Sequence, residues 1–299
     1  MRKVLITGGA GQLASDLVRA FGGWQVHAIP HDRLDVADER AVGDALRSLR
    51  PDVVINTAAF HRVDDCEVDV HKAFAVNTDA VNYLARACHT SRTLLVHIST
   101  DYVFRGDSQV PYLEGDPPGP VNIYGLSKLA GERVIGGQRG EHLIVRTSGL
   151  FGAAGVSGNG GNFANFVLAR ARSGERTVVV DDQRLAPTYT LHAAQKIAWL
   201  VQAGARGICH LTNSESCTWF EFAREIIAAS GLRADIRPTT TAQFGARARR
   251  PAYSVLAHGA LEAAAADDMP PWREGLRQYL AQIGVVAGKA TVATTVGAG

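Results

Sequence analysis

Short apolar runs alternate with longer mixed stretches along the first half of the chain. Five runs are apolar or β-branched at nearly every position, as expected for strands buried on both faces: KVLIT (3–7), WQVHAI (24–29), DVVIN (52–56), TLLVHI (93–98) and HLIVRT (142–147). Between them, amphipathic stretches predict helices over 12–22, 38–49, 67–90 and 123–137. This alternation predicts an α/β fold with a doubly wound parallel sheet and right-handed crossovers.

The pattern becomes less regular after Gly149. A glycine-rich stretch, GAAGVSGNGGN (152–162), predicts a mobile loop. Further helices are expected near 162–173, 190–203 and 218–230, with strands at 177–181 and 207–212. We therefore predict a sheet domain over 1–150, to which some later elements return, then a smaller C-terminal lobe over 151–284 and a flexible tail over 285–299.

Composition narrows the classes of partner. The 31 basic and 29 acidic residues give a net charge of +2, and no basic block with interleaved aromatics occurs, so a nucleic-acid partner is not expected. The short basic stretch Arg247–Arg250 could hold one anionic ligand. No apolar run approaches the roughly 20 residues of a membrane span, and the N-terminus enters a strand without a signal peptide.

The spacing of the cysteines and histidines does not match a metal-binding motif. Four scattered cysteines lack CxxC spacing, which favours buried, reduced thiols and a cytoplasmic location. The ten histidines include no H-E-x-x-H pair, so no metal site is predicted. The oligomeric state stays open, with a homodimer among the alternatives.

A glycine-rich turn, ITGGAGQLA, follows the first strand and opens the first helix. Gly9, Gly11 and Ala14 match G-x-G-x-x-A, and Gly8, Gly11 and Ala14 match G-x-x-G-x-x-A. Both registers let the backbone approach a pyrophosphate at a helix N-terminus, where amide hydrogens and the helix dipole favour anions. In this strand–turn–helix setting the motif predicts dinucleotide binding.

The residue that reads the adenosine ribose is expected about 20 positions further on, in PHDRLDVAD. Asp32 could accept a hydrogen bond from a free 2′-hydroxyl, which favours NAD. His31 and Arg33 could neutralise a 2′-phosphate, which favours NADP. Asp35 either helps to hold the adenine or caps the next turn. The choice between NADPH and NADH stays open at this stage.

Reactive side chains converge at the edge of the predicted sheet. Ser99 and Thr100 end the fourth strand, where ligands bind in open α/β sheets, and Tyr124 and Lys128 open the following helix. Tyr124 and Lys128 lie four residues apart, on one helical face. Reduction of a ketone needs a proton on the developing alkoxide, and an ammonium beside a phenol is expected to lower the phenol's pKa. Thr100 would hydrogen-bond the substrate oxygen.

The remainder of that helix reads as an ordinary amphipathic helix. Leu126, Leu129 and Ala130 form its apolar stripe, and Glu132 and Arg133 are expected to face solvent. A surface Tyr–Lys pair beside a strand-end threonine is the alternative to a catalytic set.

The glycine-rich turn after the first strand and the Tyr-x-x-x-Lys motif together resemble the extended short-chain dehydrogenase/reductases. STDYVF, NIYGLSKLAGE, GNFANFVLA and DDQRLAPTY resemble more narrowly the dTDP-4-dehydrorhamnose reductase family, over nearly the whole chain to about residue 283. The resemblance implies a Rossmann domain with a small sugar-nucleotide lobe. It implies NAD(P)H-dependent reduction of a dTDP-linked 4-keto-6-deoxyhexose, with Thr100, Tyr124 and Lys128 as the catalytic triad.

The resemblance also implies binding residues. The cofactor contacts are expected at Gly8, Gly9, Gly11, Gln12, Leu13, His31, Asp32, Arg33, Asp35, Val36, Thr57, Ala58, Ala59, Asn77, Ser99, Tyr124 and Lys128. The substrate contacts are expected at His61, Val63, Asp101, Tyr102, Gly149, Asn162, Phe163, Gln183, Pro187 and Arg250. Arg250 would approach the diphosphate, since a guanidinium fork suits phosphate.

Three positions refine the family assignment. Related dehydratases carry Asp-Glu after the threonine, whereas Thr100 is followed by Asp101 and Tyr102, so elimination of water is not expected. Gly149 stands where the family usually has a tryptophan flanking the sugar, and Tyr253 where it has an asparagine. These departures lie in the substrate lobe and leave the identity of the ketosugar open.

Two other functions fit parts of the pattern. A non-catalytic NADP-binding regulatory subunit shares the fold, but it has no need for an intact Thr–Tyr–Lys set. A nucleotide-sugar epimerase would oxidise and re-reduce one carbon and keep its cofactor bound throughout.

Overall fold

The computed structural model describes residues 1–154 and 161–285. The strands, numbered in chain order, are β1 Lys3–Thr7, β2 Gln25–Ile29, β3 Val53–Asn56, β4 Leu94–Thr100, β5 His142–Thr147, β6 Leu150–Phe151, β7 Thr177–Val180, β8 Arg184–Leu185, β9 Thr188–Tyr189, β10 Gly207–His210, β11 Cys217–Thr218 and β12 Ile236–Thr239. The α-helices are α1 Gln12–Ala20, α2 Glu39–Leu49, α3 Val63–Val68, α4 Val70–Phe74, α5 Ala80–Ser91, α6 Ile123–Gly137, α7 Phe163–Arg172, α8 Thr190–Gln202, α9 Trp219–Ser230, α10 Thr241–Phe244, α11 Gly259–Ala263 and α12 Trp272–Gln282. The predicted tail over 285–299 lies outside the described residues beyond Val285, as does part of the predicted loop over 152–162.

Six parallel strands form the central sheet in the order β10-β5-β4-β3-β1-β2. The prediction of a doubly wound parallel sheet is therefore confirmed. The chain moves outward from β1 to β2 on one side and to β3 on the other. This reversal creates a crevice at the carboxyl ends of β1 and β3, where open α/β sheets bind ligands.

Helices cover both faces of the sheet. Along β1, Val4 and Ile6 pack with α1 and α8, whereas Leu5 between them packs with α2 and α5. This alternation follows from the two-residue period of a strand. Both α8 and β10 come from the predicted C-terminal half, so later elements return to the sheet. The domain boundary near residue 150 stays a prediction.

A separate apolar cluster holds the C-terminal elements together. Trp272, Phe222 and Tyr279 are fully buried and bring α9 and α12 against Phe151 of β6. Ring centroids of Phe222 and Trp272 lie 5.5 Å apart at 88°, an edge-to-face pair. The start of α9 is thereby fixed beside the carboxyl ends of the central strands.

The helix predicted over 67–90 is broken into several pieces. Asp69 leaves helical geometry at φ −115° and ψ 73°, and its side chain accepts from the Lys72 N–H that opens α4. A π-helical turn, Ala75–Asp79, then joins α4 to α5. A Cβ on Gly131 would lie 2.3 Å from the Asn77 carbonyl oxygen, so this glycine allows α6 to approach the turn closely.

The predicted solvent face of α6 is wrong at Glu132. Its side chain is 3% exposed and pairs with the equally buried Arg146 of β5, with Nη2–Oε2 at 2.7 Å and Nε–Oε1 at 3.0 Å. Leu126, expected in the apolar stripe, is 44% exposed. The helix turns a polar face inward because it covers strand ends that carry polar side chains. Arg133 faces solvent as predicted.

Replacing Glu132 should destabilise the fold strongly. Glu132→Gln leaves the buried Arg146 guanidinium without a counter-charge, for which we expect a loss of about 3 to 5 kcal/mol in the free energy of unfolding. Urea denaturation measures this loss. The control is Glu141→Gln, which breaks the exposed pair with Arg206 and should cost less than about 1 kcal/mol. Equal losses in the two variants would contradict this account of the buried pair.

Candidate active site

A cavity of about 420 Å³ opens at the carboxyl ends of the central strands. Its wall includes residues that follow β1, β3, β4 and β5, together with the first turns of α1, α6 and α9. Of the predicted site residues, those lining it are Gly11, Gln12, Leu13, Thr57, Ala59, His61, Val63, Ser99, Thr100, Asp101, Tyr102, Tyr124, Lys128, Gly149 and Asn162. The sheet thus brings together residues that are up to 151 positions apart in sequence.

The glycine turn forms one end of this cavity. Gly8 has φ +67°, which favours glycine, and a Cβ there would lie 2.9 Å from the Ala58 nitrogen. A Cβ on Gly9 would lie 2.6 Å from the backbone of β2. Gly11 is the N-cap of α1, whose first amides have no side-chain cap. Such a turn leaves backbone N–H groups free for an anion.

Gln12 links this turn to the segment after β6. Its Oε1 accepts from the Gly152 N–H and from Asn162 Nδ2, both at 2.8 Å. Asn162 also caps α7 by accepting from the Asn165 N–H. Gln12 and Asn162, predicted for cofactor and substrate respectively, therefore belong to one hydrogen-bonded wall.

The predicted adenosine residues lie on the loop after β2. His31, Asp32, Arg33 and Asp35 are exposed, and Val36 is buried in the core beneath them. Asp35 Oδ1 accepts from the Ala37 N–H at 2.9 Å, so Asp35 caps the following turn. The ionisable side chain of His31 and the cationic side chain of Arg33 are thus exposed at the end of the crevice.

The predicted residues after β3 divide into lining and supporting groups. Thr57 lines the cavity and donates to the Thr7 carbonyl at 2.6 Å, while the Ala58 N–H donates to Asn56 Oδ1 at 3.2 Å. Asn77 was predicted to contact the cofactor, but it is fully buried and does not contribute to the lining found among the described residues. Its amide instead bonds both backbone groups of Phe60 and the Ser127 hydroxyl. Asn77 therefore ties this loop to α6.

The end of β4 carries a buried carboxyl group. Asp101 accepts from Thr100 Oγ1 at 3.0 Å and from Ser148 Oγ at 2.8 Å. Burial raises the pKa of Asp101 to about 6, although hydrogen bonds from Ser254, Ser148 and Thr100 oppose the rise. The neighbouring Ser99 donates to Glu132 Oε1 at 2.5 Å and so extends the buried pair of α6 into the cavity wall.

Tyr124 lies beside Thr100, but its pKa is not lowered as predicted. Burial raises the pKa of Tyr124 above its ordinary value, a hydrogen bond with Thr100 opposes the rise, and the charge of Asp101 adds to it. The expectation that Lys128 lowers this pKa is therefore wrong in the structure. Lys128 Nζ instead donates to the Ile98 carbonyl at 2.6 Å and contacts His97 Nε2 at 3.1 Å. A phenol with a raised pKa stays protonated and can donate its proton.

Arg250 does not reach the cavity in the structure. Its guanidinium forms a bidentate pair with Asp64, at 2.8 and 2.7 Å, and also hydrogen-bonds Tyr102. The pair lowers the pKa of Asp64 to about 2. The expected approach of Arg250 to a diphosphate stays a prediction, and in the structure its charge is matched by Asp64. Arg250 holds Tyr102, whose ring lies 5.8 Å from that of Tyr124.

Other predicted substrate residues lie around a small cleft beside the cavity. Gln183 lines this cleft of about 30 Å³ together with Asp101, Tyr102 and Gly149, and donates to Thr241 Oγ1 at 2.9 Å. Pro187 lies behind Gly149, and Phe163 packs on Trp219 at 4.7 Å. Pro187 and Phe163 are not among the described residues that line either space.

Gly149 has a structural reason to be glycine here. Its φ is +52°, and a Cβ would lie 2.7 Å from Leu185 Cδ1. A large side chain at this position would therefore require the backbone to rearrange. Tyr253, the second departure, lies on the segment that bridges Arg184, and its N–H donates to the Gly106 carbonyl.

The sequence reasoning missed seven lining residues, among them Trp219, Ser148 and Thr147. Trp219 opens α9 and places an indole in the cavity wall, and Ser148 binds Asp101. Thr147 ends β5, is 6% exposed, and its Oγ1 has no hydrogen-bond partner among the described residues. A signal was present for both, since Thr147 ends a predicted strand and Ser148 directly follows it on the ligand-binding edge. Trp219 lies in an irregular region where no pattern marked it.

The described residues include no group of three or more His, Cys, Asp or Glu side chains that could hold a metal ion. No helix among them is long and apolar enough to span a bilayer. All four cysteines are free and buried.

Comparison with known proteins identifies the family. Residues 1–285 match the family described as RmlD substrate binding domain. The spore coat polysaccharide biosynthesis protein SpsK of Bacillus subtilis is 40% identical, over 94% of this chain and 97% of its own length. The probable dTDP-4,6-dihydroxy-2-methyloxan-3-one 4-ketoreductase of Streptomyces antibioticus is also 40% identical, over 93% and 95%.

A solved structure agrees with these relatives. The crystal structure of the Bacillus anthracis dTDP-4-dehydrorhamnose reductase in complex with NADP superimposes with a TM-score of 0.90 at 34% identity, over 94% of this chain and 100% of that one. The resemblance inferred from the motifs is thus confirmed, and this chain belongs to the RmlD substrate binding domain family of dTDP-4-dehydrorhamnose reductases.

Proposed function

We propose that this protein is an NADPH-dependent reductase of the C4 ketone of a dTDP-linked 4-keto-6-deoxyhexose. The observation that carries the proposal is the convergence of Thr100, Tyr124 and Lys128 on one wall of the cavity whose other end is the glycine turn. A proton donor, a hydroxyl for the substrate oxygen and an anion-binding helix N-terminus are what such a reaction requires. The names of the relatives support the class of substrate.

The residues present suit a nicotinamide dinucleotide. A Cβ on Gly8 or Gly9 would collide with the backbone after β3 or of β2, so these glycines let the turn pack closely at the start of α1, where the first amides can face a pyrophosphate. The buried Thr147 hydroxyl, which lines the same cavity, has no hydrogen-bond partner among the described residues. Gly11, Gln12 and Leu13 would hold the pyrophosphate, His31 and Arg33 a 2′-phosphate, and Thr57, Ala59, Ser99 and Lys128 the nicotinamide half. When bound, NADPH supplies the hydride that reduces the ketone.

The chain's own residues supply the proton and hold the substrate oxygen. Thr100 donates a hydrogen bond to the ketone oxygen, and Tyr124 transfers its phenolic proton to that oxygen as negative charge develops. The raised pKa of Tyr124 keeps this proton in place until it is needed. In the free protein Thr100 donates this hydroxyl proton to Asp101, so the bond to the ketone oxygen replaces the bond to Asp101.

The sugar is expected between Tyr102 and Trp219, since both rings line the cavity. Trp219 provides an apolar wall in the substrate lobe, where Gly149 has no side chain. Arg250 takes part by holding Tyr102 through the pair with Asp64. His61 and Val63 line the cavity beside α3 and would contact the nucleotide side of the substrate.

A turnover assay tests the function. The protein is incubated with NADPH or NADH and a panel of dTDP-4-keto-6-deoxyhexoses, and the nicotinamide absorbance is followed while products are separated. A reductase consumes one cofactor for each alcohol formed. Conversion of the sugar without net consumption would indicate an epimerase, and cofactor binding without turnover on any ketosugar a regulatory subunit. Either outcome would contradict the proposal.

Removing the phenolic proton should stop the reaction. Tyr124→Phe is expected to lower kcat by about 10²- to 10⁴-fold, because a positioned general acid contributes that much. Binding of NADPH, followed by the quenching of tryptophan fluorescence, should be largely kept. Tyr83→Phe, on α5 and outside the cavity lining, is the matched control. Substantial residual activity in Tyr124→Phe would exclude tyrosine as the donor.

Arg33 should determine the preference for NADPH. Arg33→Ala is expected to lower kcat/KM for NADPH by about 10- to 100-fold, since a charge-assisted hydrogen bond to a phosphate contributes about 1.5 to 3 kcal/mol. The value for NADH should hardly change. Steady-state kinetics with both cofactors measure the ratio, and Arg40→Ala on α2 controls for loss of an exposed charge. An unchanged ratio would assign the 2′-phosphate to another residue.

The buried Asp101 should make stability depend on pH. Its folded-state pKa of about 6 lies above the unfolded value of roughly 3.9, so its stabilising contribution is present below pH 4 and is lost as pH rises through about 6. Asp101→Asn removes this loss. Its free energy of unfolding, relative to the natural protein, should therefore improve by about 2 to 3 kcal/mol between pH 4 and pH 7.5.

Urea denaturation at the two pH values measures the change. Asp44→Asn, at an exposed carboxyl on α2, should show no comparable dependence on pH. A difference between Asp101→Asn and the natural protein that stays constant from pH 4 to pH 7.5 would contradict a raised pKa.

A further inference from the structure

Four buried polar side chains form a chain beneath the catalytic wall, from β1 to α6. Thr7 Oγ1 donates to Asn56 Oδ1 at 2.7 Å, Asn56 Nδ2 lies 3.1 Å from His97 Nδ1, and His97 Nε2 lies 3.1 Å from Lys128 Nζ. Each of the four residues is at most 2% exposed. Only Lys128 among these four residues lines the cavity, and it is the side chain through which His97 can act on the reaction.

The orientation of the Asn56 amide follows from its neighbours. Its oxygen receives the Thr7 hydroxyl and also the Ala58 backbone N–H, at 3.2 Å. A hydroxyl can turn, but a backbone N–H can only donate, so it identifies the oxygen side of the amide. The Asn56 nitrogen therefore donates to Nδ1 of His97.

This orientation sets the tautomer of His97. A neutral imidazole carries one proton, and with Nδ1 accepting a hydrogen bond that proton is on Nε2. The ring stays neutral because its complete burial lowers the pKa of His97 well below its ordinary value. The Nε2–H therefore points at Lys128 Nζ, and only an uncharged amine has a lone pair to accept it.

We propose that His97 is a positioning residue that biases Lys128 toward its neutral amine, with Asn56 fixing the tautomer through which it does so. The consequence for turnover rests on the proposed function. An amine that titrates near neutrality can exchange protons within each catalytic cycle, whereas an ordinary lysine holds its proton. The bias itself is a property of the free protein.

The other ionisable groups around Lys128 do not explain the same effect. Glu132, one turn along α6, favours the ammonium, and its charge is paired with Arg146 of β5. Tyr124, one turn before, is held protonated, with the Cys66 thiol of α3 nearby. Burial lowers the pKa of Lys128 to about 8 against the opposing effect of Glu132. His97 of β4 is the group that contacts Nζ directly.

Nuclear magnetic resonance of labelled lysine side chains tests the proposal on the free protein. The sequence contains five lysines, so each ¹³Cε signal can be followed separately, and Lys128→Arg identifies the signal of Lys128. Lys128 should titrate at about 8, well below the ordinary lysine value of about 10.4. Titration of Lys128 together with the exposed lysines would overturn the proposal.

Asn56→Asp tests the tautomer. The carboxylate can keep the bonds from Thr7 and Ala58, and it draws the ring proton to Nδ1. His97 Nε2 then accepts from an ammonium, so the pKa of Lys128 should rise by about one unit or more. In a His97→Leu background the added charge remains but the ring that relays it is gone, and most of the rise from Asn56→Asp should disappear. An equal rise in both backgrounds would mean that charge alone acts, and would overturn the proposal.

His97→Leu provides a second measurement should Asn56→Asp fail to fold. Leucine keeps the apolar volume but removes the Nε2–H, so the pKa of Lys128 should rise; an unchanged or lower value would overturn the proposal. Neither sugar nor cofactor is present in these titrations. A failed tautomer prediction can therefore be told apart from a failure of the proposed reductase activity.

Discussion

The site depends on the buried polar face that α6 turns toward the ends of β4 and β5. Lys128 binds the Ile98 carbonyl and contacts His97, and Glu132 one turn later pairs with Arg146. Buried charges are costly unless they are paired and hydrogen-bonded. A shift of the helix by one residue would separate both side chains from their partners, so the interaction specifies one register of α6 on the sheet. That register brings Tyr124 beside Thr100.

Close backbone approach makes this register possible. A Cβ on Gly125 would lie 2.1 Å from the Tyr102 carbonyl oxygen, and one on Gly131 would lie 2.3 Å from the Asn77 carbonyl oxygen. The two glycines let the helix pack directly on the turn after β4 and on the π-helical turn before α5. Asn77, which holds the loop after β3, reaches Ser127 of the same helix. The helix therefore connects the two loops that carry the predicted cofactor and substrate contacts.

Local pattern was sufficient for the sheet and for the bounds of α6, which were predicted at 123–137 and observed there. Continuous apolar runs in parallel strands and the glycine turn are local signals. The break at Asp69 is accompanied by a local cap, the bond from the Lys72 N–H, which the helical periodicity did not reveal. The burial of Glu132 depends on a tertiary partner, which no local pattern contains. A glutamate on a helix is normally solvated, and only the position of Arg146 in the neighbouring strand makes burial possible.

The candidate site divides in the same way. Residues that follow predicted strands, such as Thr57 and Thr100, line the cavity, because the edge of a parallel sheet collects them. The pKa of Tyr124 was predicted wrongly. The sequence shows that Lys128 is four residues away, but not that its Nζ contacts His97 and the Ile98 carbonyl. Arg250 was expected near a phosphate, but Asp64, 186 positions away in sequence, takes its charge.

The central claim is that this site delivers a hydride and a proton to a sugar ketone. Isotope transfer tests this claim most directly. The protein is supplied with NADPH carrying deuterium at both positions of the nicotinamide C4 and with a dTDP-4-keto-6-deoxyhexose, and the product is analysed by nuclear magnetic resonance. The account predicts one deuterium on C4 of the product sugar and an equal amount of oxidised cofactor. Product that carries no deuterium at C4, or carries it at another carbon, would contradict it.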